Sequence, residues 1–215
     1  MKKLILGIDE VGRGAWAGPL VIGAVVLNEE KSIDELNDSK KLNLKQREIL
    51  AREIKKSAIA IGVGWIDAPI IDKVGLSAAL KLATKCAYQQ IISQISTDEI
   101  SEIIIDGHVN FLDDPRVITM IKADGRITAV SAASIVAKVF RDNYMTQLDK
   151  VFPNFNFASH VGYGTKSHQE SLKKFGSIIG IHRQSFAPIA ELSSHTACNS
   201  IKEKRLKSNE FSDPQ

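Results

Sequence analysis

Cysteine is scarce: Cys86 and Cys198 are the two in 215 residues. They lie far apart without paired or metal-type spacing, which excludes a disulfide scaffold and a thiolate zinc cage and reads as free thiols in a reducing compartment. Proline is scarce as well, 6 residues beside 14 glycines, and this excludes collagen-like and Pro/Gly-rich disordered chains. The longest apolar runs, such as residues 20–27, stop well short of the roughly 20 residues that span a bilayer, so no membrane span is expected. Met1-Lys2-Lys3 resembles the charged start of a signal peptide, but the apolar stretch behind it breaks at Gly7 and meets Asp9 and Glu10. The chain is therefore expected in the cytoplasm. Charge of one sign is lacking too: 28 basic against 25 acidic residues leave a net +3, too mild to announce a nucleic-acid partner through a global field.

What is present is an ordinary globular balance, 44% hydrophobic and 25% charged, long enough to bury one core. Residues 1–192 read as one domain. Residues 193–215, where Lys202, Glu203, Lys204, Arg205 and Lys207 alternate charge, read as a flexible basic tail. Apolar, partly β-branched runs predict strands over 4–8, 20–27, 58–66, 102–105 and 117–121. Periodicity predicts helices over 44–56, 131–150 and 166–175. The longest predicted helix runs from a cap at Asp67, with Pro69 in its first turn, to about residue 95. A short apolar segment follows over 186–192. Strands grouped early, then strands alternating with helices, indicate an α/β domain with a mixed sheet flanked by helices.

Asp9, Glu10, Asp106 and Asp124 fall at the carboxyl ends of three apolar strand patterns. Strand ends of an open α/β sheet converge on one crevice, so acids from distant segments meet there. Crowded carboxylates raise one another's proton affinity unless a cation compensates them. Oxygen-only donors select a hard ion, Mg²⁺ or Mn²⁺, and two such ions activate water against a phosphodiester. A single acid at a strand end is more often a turn or helix cap; three strand ends together reverse that reading. Neighbouring strand residues point to opposite faces, so Asp9 and Glu10 share a site only where the strand has stopped, and Gly12 and Gly14 supply the stop.

Gly12-Arg13-Gly14 lets backbone groups approach a sugar or phosphate, and Arg13 adds a forked donor. Ser39 and Lys40 lie in Asp38-Ser39-Lys40-Lys41, a polar segment suited either to a phosphate backbone or to solvent. Ser131, Ser134, Lys138 and Arg141 draw a polar stripe on the 131–150 helix, bordered by Asp142, which the spacing pairs with Lys138. Tyr163, between Gly162 and Gly164, is placed to stand out and stack on a sugar or base. His160, His168 and His182 receive no role.

Gly7-Ile8-Asp9-Glu10-Val11-Gly12-Arg13-Gly14, Asp38-Ser39-Lys40-Lys41-Leu42, Ile105-Asp106-Gly107, Lys122-Ala123-Asp124, Ser131-Ala132-Ala133-Ser134-Ile135-Val136-Ala137-Lys138-Val139 and Gly162-Tyr163-Gly164-Thr165 together resemble ribonuclease HII, in the family's order, over roughly residues 4–190. The resemblance implies a ribonuclease H-like α/β fold, with a central mixed five-stranded sheet flanked by helices and a C-terminal helical extension. It implies cleavage of the RNA strand of RNA·DNA hybrids, and nicking of duplex DNA 5′ of an embedded ribonucleotide to leave 3′-hydroxyl and 5′-phosphate ends, by a monomer. Asp9, Glu10, Asp106 and Asp124 match the family's metal-binding acids. Gly12, Arg13 and Gly14 match its 2′-hydroxyl-sensing loop, Tyr163 its stacking tyrosine, and Ser39, Lys40, Ser134 and Lys138 its phosphate contacts. The Gly-Lys-Gly loop and long N-terminal domain usual in ribonuclease HIII are missing. Competing readings are a DNA nuclease of the same fold and a non-catalytic nucleic-acid-binding module.

Overall fold

The structure is a computed structural model that describes residues 4–27 and 44–192. Ser39, Lys40, Cys198 and the 193–215 segment lie outside the described residues. Strand β1 (Leu4–Val11) turns back through a short loop into β2 (Leu20–Leu27), which makes the pair antiparallel, and β3 (Ala58–Ile66) adds antiparallel to β2. Strands β4 (Ile100–Asp106) and β5 (Val117–Met120) extend the other side in parallel, giving the order β3-β2-β1-β4-β5. Every residue of β2 is buried, which is why its sequence is an unbroken apolar run rather than an alternating one.

Helix α4 (Thr128–Val151) lies across β1 and β2 on one face, with α1 (Leu44–Ser57) beside it. On the other face α2 (Ala68–Val74) leads into α3 (Leu76–Ile92), which packs on β2 and β3 through Ala79, Leu80, Ala83, Ala87 and Ile91. The second half of α4 extends past the sheet. Its Met145 and Leu148 anchor the C-terminal elements, α5 (Phe157–His160), α6 (Lys166–Phe175) and a last helical stretch over 187–192, through Phe155, Phe157, Leu172 and Ile189. No helix among the described residues is long and apolar enough to cross a membrane.

Three expectations are corrected. The longest predicted helix is two, because Gly75 adopts φ +81° and ends α2 by donating to Ile71 O, after which Ala79 N bonds back to Gly75 O. Asp67 does not cap with its side chain; its Oδ1 accepts from Trp65 Nε1 at 2.7 Å. β1 does not stop before the glycine loop but runs through Asp9 and Glu10 to Val11.

Strand β3 is a sheet edge whose backbone is covered by α3 and its C-terminal extension. Gln90 brackets Val63, accepting from its N–H at 3.0 Å and donating to its carbonyl at 2.8 Å, and Gln94 does the same for Ile61 at 3.2 and 2.7 Å. Such an approach requires glycine beneath the helix: a Cβ on Gly64 would lie 1.9 Å from Ala83 O. Gly64→Ala is therefore expected to destabilise the fold by about 2–3 kcal/mol and lower the melting temperature by roughly 5–10 °C. Thermal unfolding followed by circular dichroism measures this, and an unchanged midpoint contradicts it.

Candidate active site

The register of the central strands places the acids. Ile8 of β1 lies opposite Ile105 of the parallel β4, so the next residues, Asp9 and Asp106, come level at the carboxyl ends of adjacent strands. Both project toward α4, because side chains paired across a parallel ladder share a face. Gly7, two residues earlier on the same face, would drive a Cβ to 2.1 Å from Ala129 C, and Gly23, the partner of Asp9 on β2, to 2.1 Å from Ala133 O. The missing side chains let α4 settle onto the sheet, and this brings the Ser134 hydroxyl onto the Asp9 carboxylate.

Glu10 alternates to the opposite face, the one that carries Leu6 and Ile8 in the α3 core. The strand has not stopped there, so the two neighbouring acids leave it on opposite faces, yet at the sheet end both lie near enough to Asp106 for its charge to raise their proton affinity. Glu10 is half-buried and meets Arg13 Nη1 at 3.5 Å. Asp106 Oδ1 accepts from Ala123 N at 3.1 Å, which ties the 3₁₀ turn Ala123–Gly125, and Asp124 within it, to the end of β4. That turn begins at Lys122 in the left-handed region, φ +59°, and is seated by Ala123, buried against Ile104 and Val130.

The electrostatics follow from burial beside like charges. Asp9 is 7% exposed. Burial, with Glu10 and Asp106 adding to it and the Ser134 hydroxyl opposing, pushes its carboxyl up to about 7. Burial raises Glu10 as well, against the pull of Arg13. Among the described residues no three His, Cys, Asp or Glu side chains are gathered closely enough to hold a metal ion as they stand; the acids are neighbours at one sheet end rather than a closed cage.

Beside them, Gly12 to Ala15 form a turn closed by Ala15 N donating to Gly12 O at 3.3 Å, with Arg13 and Gly14 exposed at its tip. Gly12 needs its glycine: φ is +84°, and a Cβ would meet Arg141 Nε at 2.3 Å. The expected polar stripe on α4 divides. Ser134 and Lys138 are half-buried, whereas Ser131, Arg141 and Asp142 are buried, Asp142 with its Oδ1 lacking a hydrogen-bond partner. Arg141 runs under the loop and donates to Pro19 O, Ala17 O and Val161 O at 2.9, 3.1 and 2.8 Å.

Tyr163 is 37% exposed, its ring 5.4 Å from the Arg141 guanidinium. The glycines around it serve close approach: Gly162 packs on Ala17 O and Gly164 on the Trp16 ring. Arg183, fully buried and donating to Gly18 O and Arg13 O, carries no signal in the residue pattern. The same holds for His168 and His182, whose Nε2 atoms meet at 3.1 Å, with His168 Nδ1 on Tyr163 O. Neither lies in a pattern with a recognisable spacing; burial alone reveals them.

The ribonuclease HII family model matches residues 6–189. A ribonuclease HII from Campylobacter concisus is 47% identical over 182 residues, covering 85% of this chain and 92% of that protein. Among solved structures, ribonuclease H2 from Pyrococcus horikoshii OT3 aligns with TM-score 0.71 at 25% identity, over 89% of this chain and 98% of that one. Bst-RNase HIII in complex with Mn²⁺ shares the fold with TM-score 0.69 at 21% identity, over 89% and 70%. With the family model spanning the sheet, the glycine loop and the C-terminal helices alike, the chain belongs to the ribonuclease HII family and is an endoribonuclease of the ribonuclease H type.

Proposed function

We propose that this chain cleaves the RNA strand of RNA·DNA hybrids and also nicks duplex DNA 5′ of an embedded ribonucleotide, leaving 3′-hydroxyl and 5′-phosphate ends, with Mg²⁺ or Mn²⁺ held by Asp9, Glu10, Asp106 and Asp124. The observation that carries this reading is the levelling of Asp9 and Asp106 on adjacent strands, with the exposed turn at Arg13 and Gly14 beside them. The residues fit a hard divalent ion: the donors are all carboxylate oxygens, and among the described residues Arg13 pairs with Glu10 at the rim of the group. A bound ion lowers the pKa of water and stabilises the leaving oxygen of the phosphodiester. The fold is shared with a ribonuclease HIII solved with Mn²⁺, which supports the choice of ion.

The chain's own residues supply recognition. Gly12, Arg13 and Gly14 present main chain to the ribose, where a 2′-hydroxyl offers both a donor and an acceptor. Tyr163 offers a face for stacking on the next sugar, and half-buried Lys138, one helical turn beyond Ser134, is assigned to a phosphate, with Ser39 and Lys40 assigned to the same task. Ser134 engages Asp9 rather than open solvent, so its contribution is to orient that carboxylate. A DNA nuclease or a binding module would show itself in one assay: a single-ribonucleotide duplex, an RNA·DNA hybrid and plain DNA, each with and without divalent metal.

Asp9→Asn and Asp106→Asn are each expected to lower cleavage of the single-ribonucleotide duplex by at least about a thousandfold while the circular dichroism spectrum is kept. Full activity in either variant refutes the assignment. Gly14 and Gly12 should part company. A Cβ on Gly14 meets nothing within 4 Å and its φ is not positive, so Gly14→Ala is expected to fold as well as the parent yet lose cleavage by obstructing the ribose. Gly12→Ala is expected to lose about 2–3 kcal/mol of stability. Melting curves and cleavage rates measured together check the split, and an active Gly14→Ala contradicts it.

The raised Asp9 carboxyl makes stability depend on pH. Unfolded, the group ionises near 3.8, but in the fold it holds its proton to about 7. The folded state therefore binds the extra proton between these values, and stability present below 3.8 is lost as pH rises through 7, by up to about 4 kcal/mol. Buried His160, His168 and His182 act in the opposite direction, since their lowered values cost stability as pH falls through 6.5 and below. Asp9→Asn retains those histidines, so the difference between parent and variant in urea unfolding isolates Asp9. The variant is expected to gain on the parent from pH 5 to 8 without divalent metal, and millimolar Mg²⁺ to narrow the gap. A difference independent of pH and Mg²⁺ removes this account.

A further inference from the structure

The turn from Gly12 to Ala15 has Arg13 and Gly14 at its two central positions. In such a turn the middle peptide can face either way, and the two forms differ by a flip of that one peptide plane: one keeps φ negative at the third residue, the other needs it positive. Glycine at position 14 tolerates both. Here its φ is not positive, so one form is chosen, and the chooser is visible. Arg183 Nη1 donates to Arg13 O at 3.1 Å, while Nε and Nη2 donate to Gly18 O at 3.2 and 3.1 Å. Because the peptide is trans and planar, a carbonyl drawn inward onto a fully buried guanidinium turns the following amide, Gly14 N–H, outward to the exposed tip.

Arg183 is an expensive residue for an ordinary structural task. It is buried beside a second buried cation, Arg141, and burial followed by that repulsion pushes its guanidinium down to about 10. Among the described residues its side-chain hydrogen bonds go to main-chain carbonyls of the loop. Only a planar fork spans two carbonyls five residues apart. Its own segment is fixed from both sides: Arg183 N donates to Trp16 O, Asp72 accepts from Gln184 N and Ser185 N, and the Phe186 ring lies 5.1 Å from the guanidinium.

We infer that Arg183 is a specificity-determining positioning residue: it fixes the Arg13–Gly14 peptide so that Gly14 N–H faces the ribose, and thereby sets the preference for a 2′-hydroxyl. The inference rests on the ribose-sensing role proposed above for this turn. Arg141 supports the same loop without touching the Arg13 carbonyl, so it supplies the control.

The test measures binding rather than turnover. Fluorescence anisotropy in an Asp106→Asn background with Mg²⁺ compares a labelled DNA duplex carrying one ribonucleotide with the same duplex all-deoxy, alongside melting temperatures. Arg183→Lys, and Arg183→Gln, which leaves no charge to bury, are each expected to reduce the ribose preference about tenfold, the worth of one well-aligned hydrogen bond, chiefly by weakening the ribonucleotide duplex. Arg141→Lys is expected to lose stability but keep the preference. If the Asp106→Asn parent shows no preference, the ribose-sensing reading itself fails. If the parent shows it and the Arg183 variants retain it, or Arg141→Lys loses as much, the role of Arg183 alone is overturned. In the unsubstituted chain, residual dipolar couplings of the Gly14 amide are expected to fit one orientation, and two interconverting orientations overturn the inference without any substitution.

Discussion

Helix α4 rests directly on the backbone of β1 and β2, because Gly7 and Gly23 have no side chain to hold it off. The remaining geometry of the site follows from that contact. With the helix at this depth, Asp9 at the end of the same face is enclosed and reaches Ser134, and its charge is held where solvent hardly screens it. The same helix then carries Arg141 past the end of the sheet to the underside of the glycine loop, and Met145 to the C-terminal core. One rigid element thus sets the spacing between the acids and the loop beside them. A side chain at either glycine would shift both at once.

The C-terminal elements complete the loop from below by satisfying its main chain. The Trp16 and Ala17 amides donate to Gly162 O, and Gly18 N donates to Ile181 O. The histidines finish the work, and their partners assign their protons. His182 Nδ1 accepts from Ile178 N, so its proton lies on Nε2 and is donated to His168, whose own proton is left on Nδ1 for Tyr163 O. His160 Nδ1 accepts from Gly162 N and its Nε2 donates to Phe155 O. Burial lowers all three, which keeps them neutral and the chain of donors fixed in direction. The peptide carrying Tyr163 is held at carbonyl and amide alike, so the exposed ring stands on a rigid mount.

Much of this was legible in the residue pattern. Strands β2 and β3 have the limits their apolar runs predict, and the sheet is mixed and five-stranded as expected. The acids could be found because strand ends are marked by a change from apolar to charged residues, and Asp106 stands at such a change. What failed was local conformation. The break at Gly75 is invisible to periodicity, since apolar spacing continues across it while φ does not. The end of β1 was misplaced because Asp9 and Glu10 look like a terminus, yet ladder pairing with β2 carries the strand on to Val11. Arg141 falls on a polar helical stripe, where a charged side chain is normally exposed; the loop carbonyls around it are what make its burial tolerable.

The distribution of charge separates two kinds of buried ion. Arg141 and Arg183, both fully buried near the site, donate to main-chain carbonyls. Asp9, nearly as buried, gains hydrogen bonds from Ser134 and the Glu10 amide but, among the described residues, no guanidinium or ammonium partner. An internal Arg–Asp pair would have set mutual attraction against both desolvation penalties, and α4 carries Arg141 as well as Ser134. Keeping them apart leaves the loop rigid and the acids undercompensated. A carboxylate already neutralised by its own chain would have to release that partner before accepting any other cation, so a site meant to draw positive charge from solution is better served by acids left in mutual repulsion.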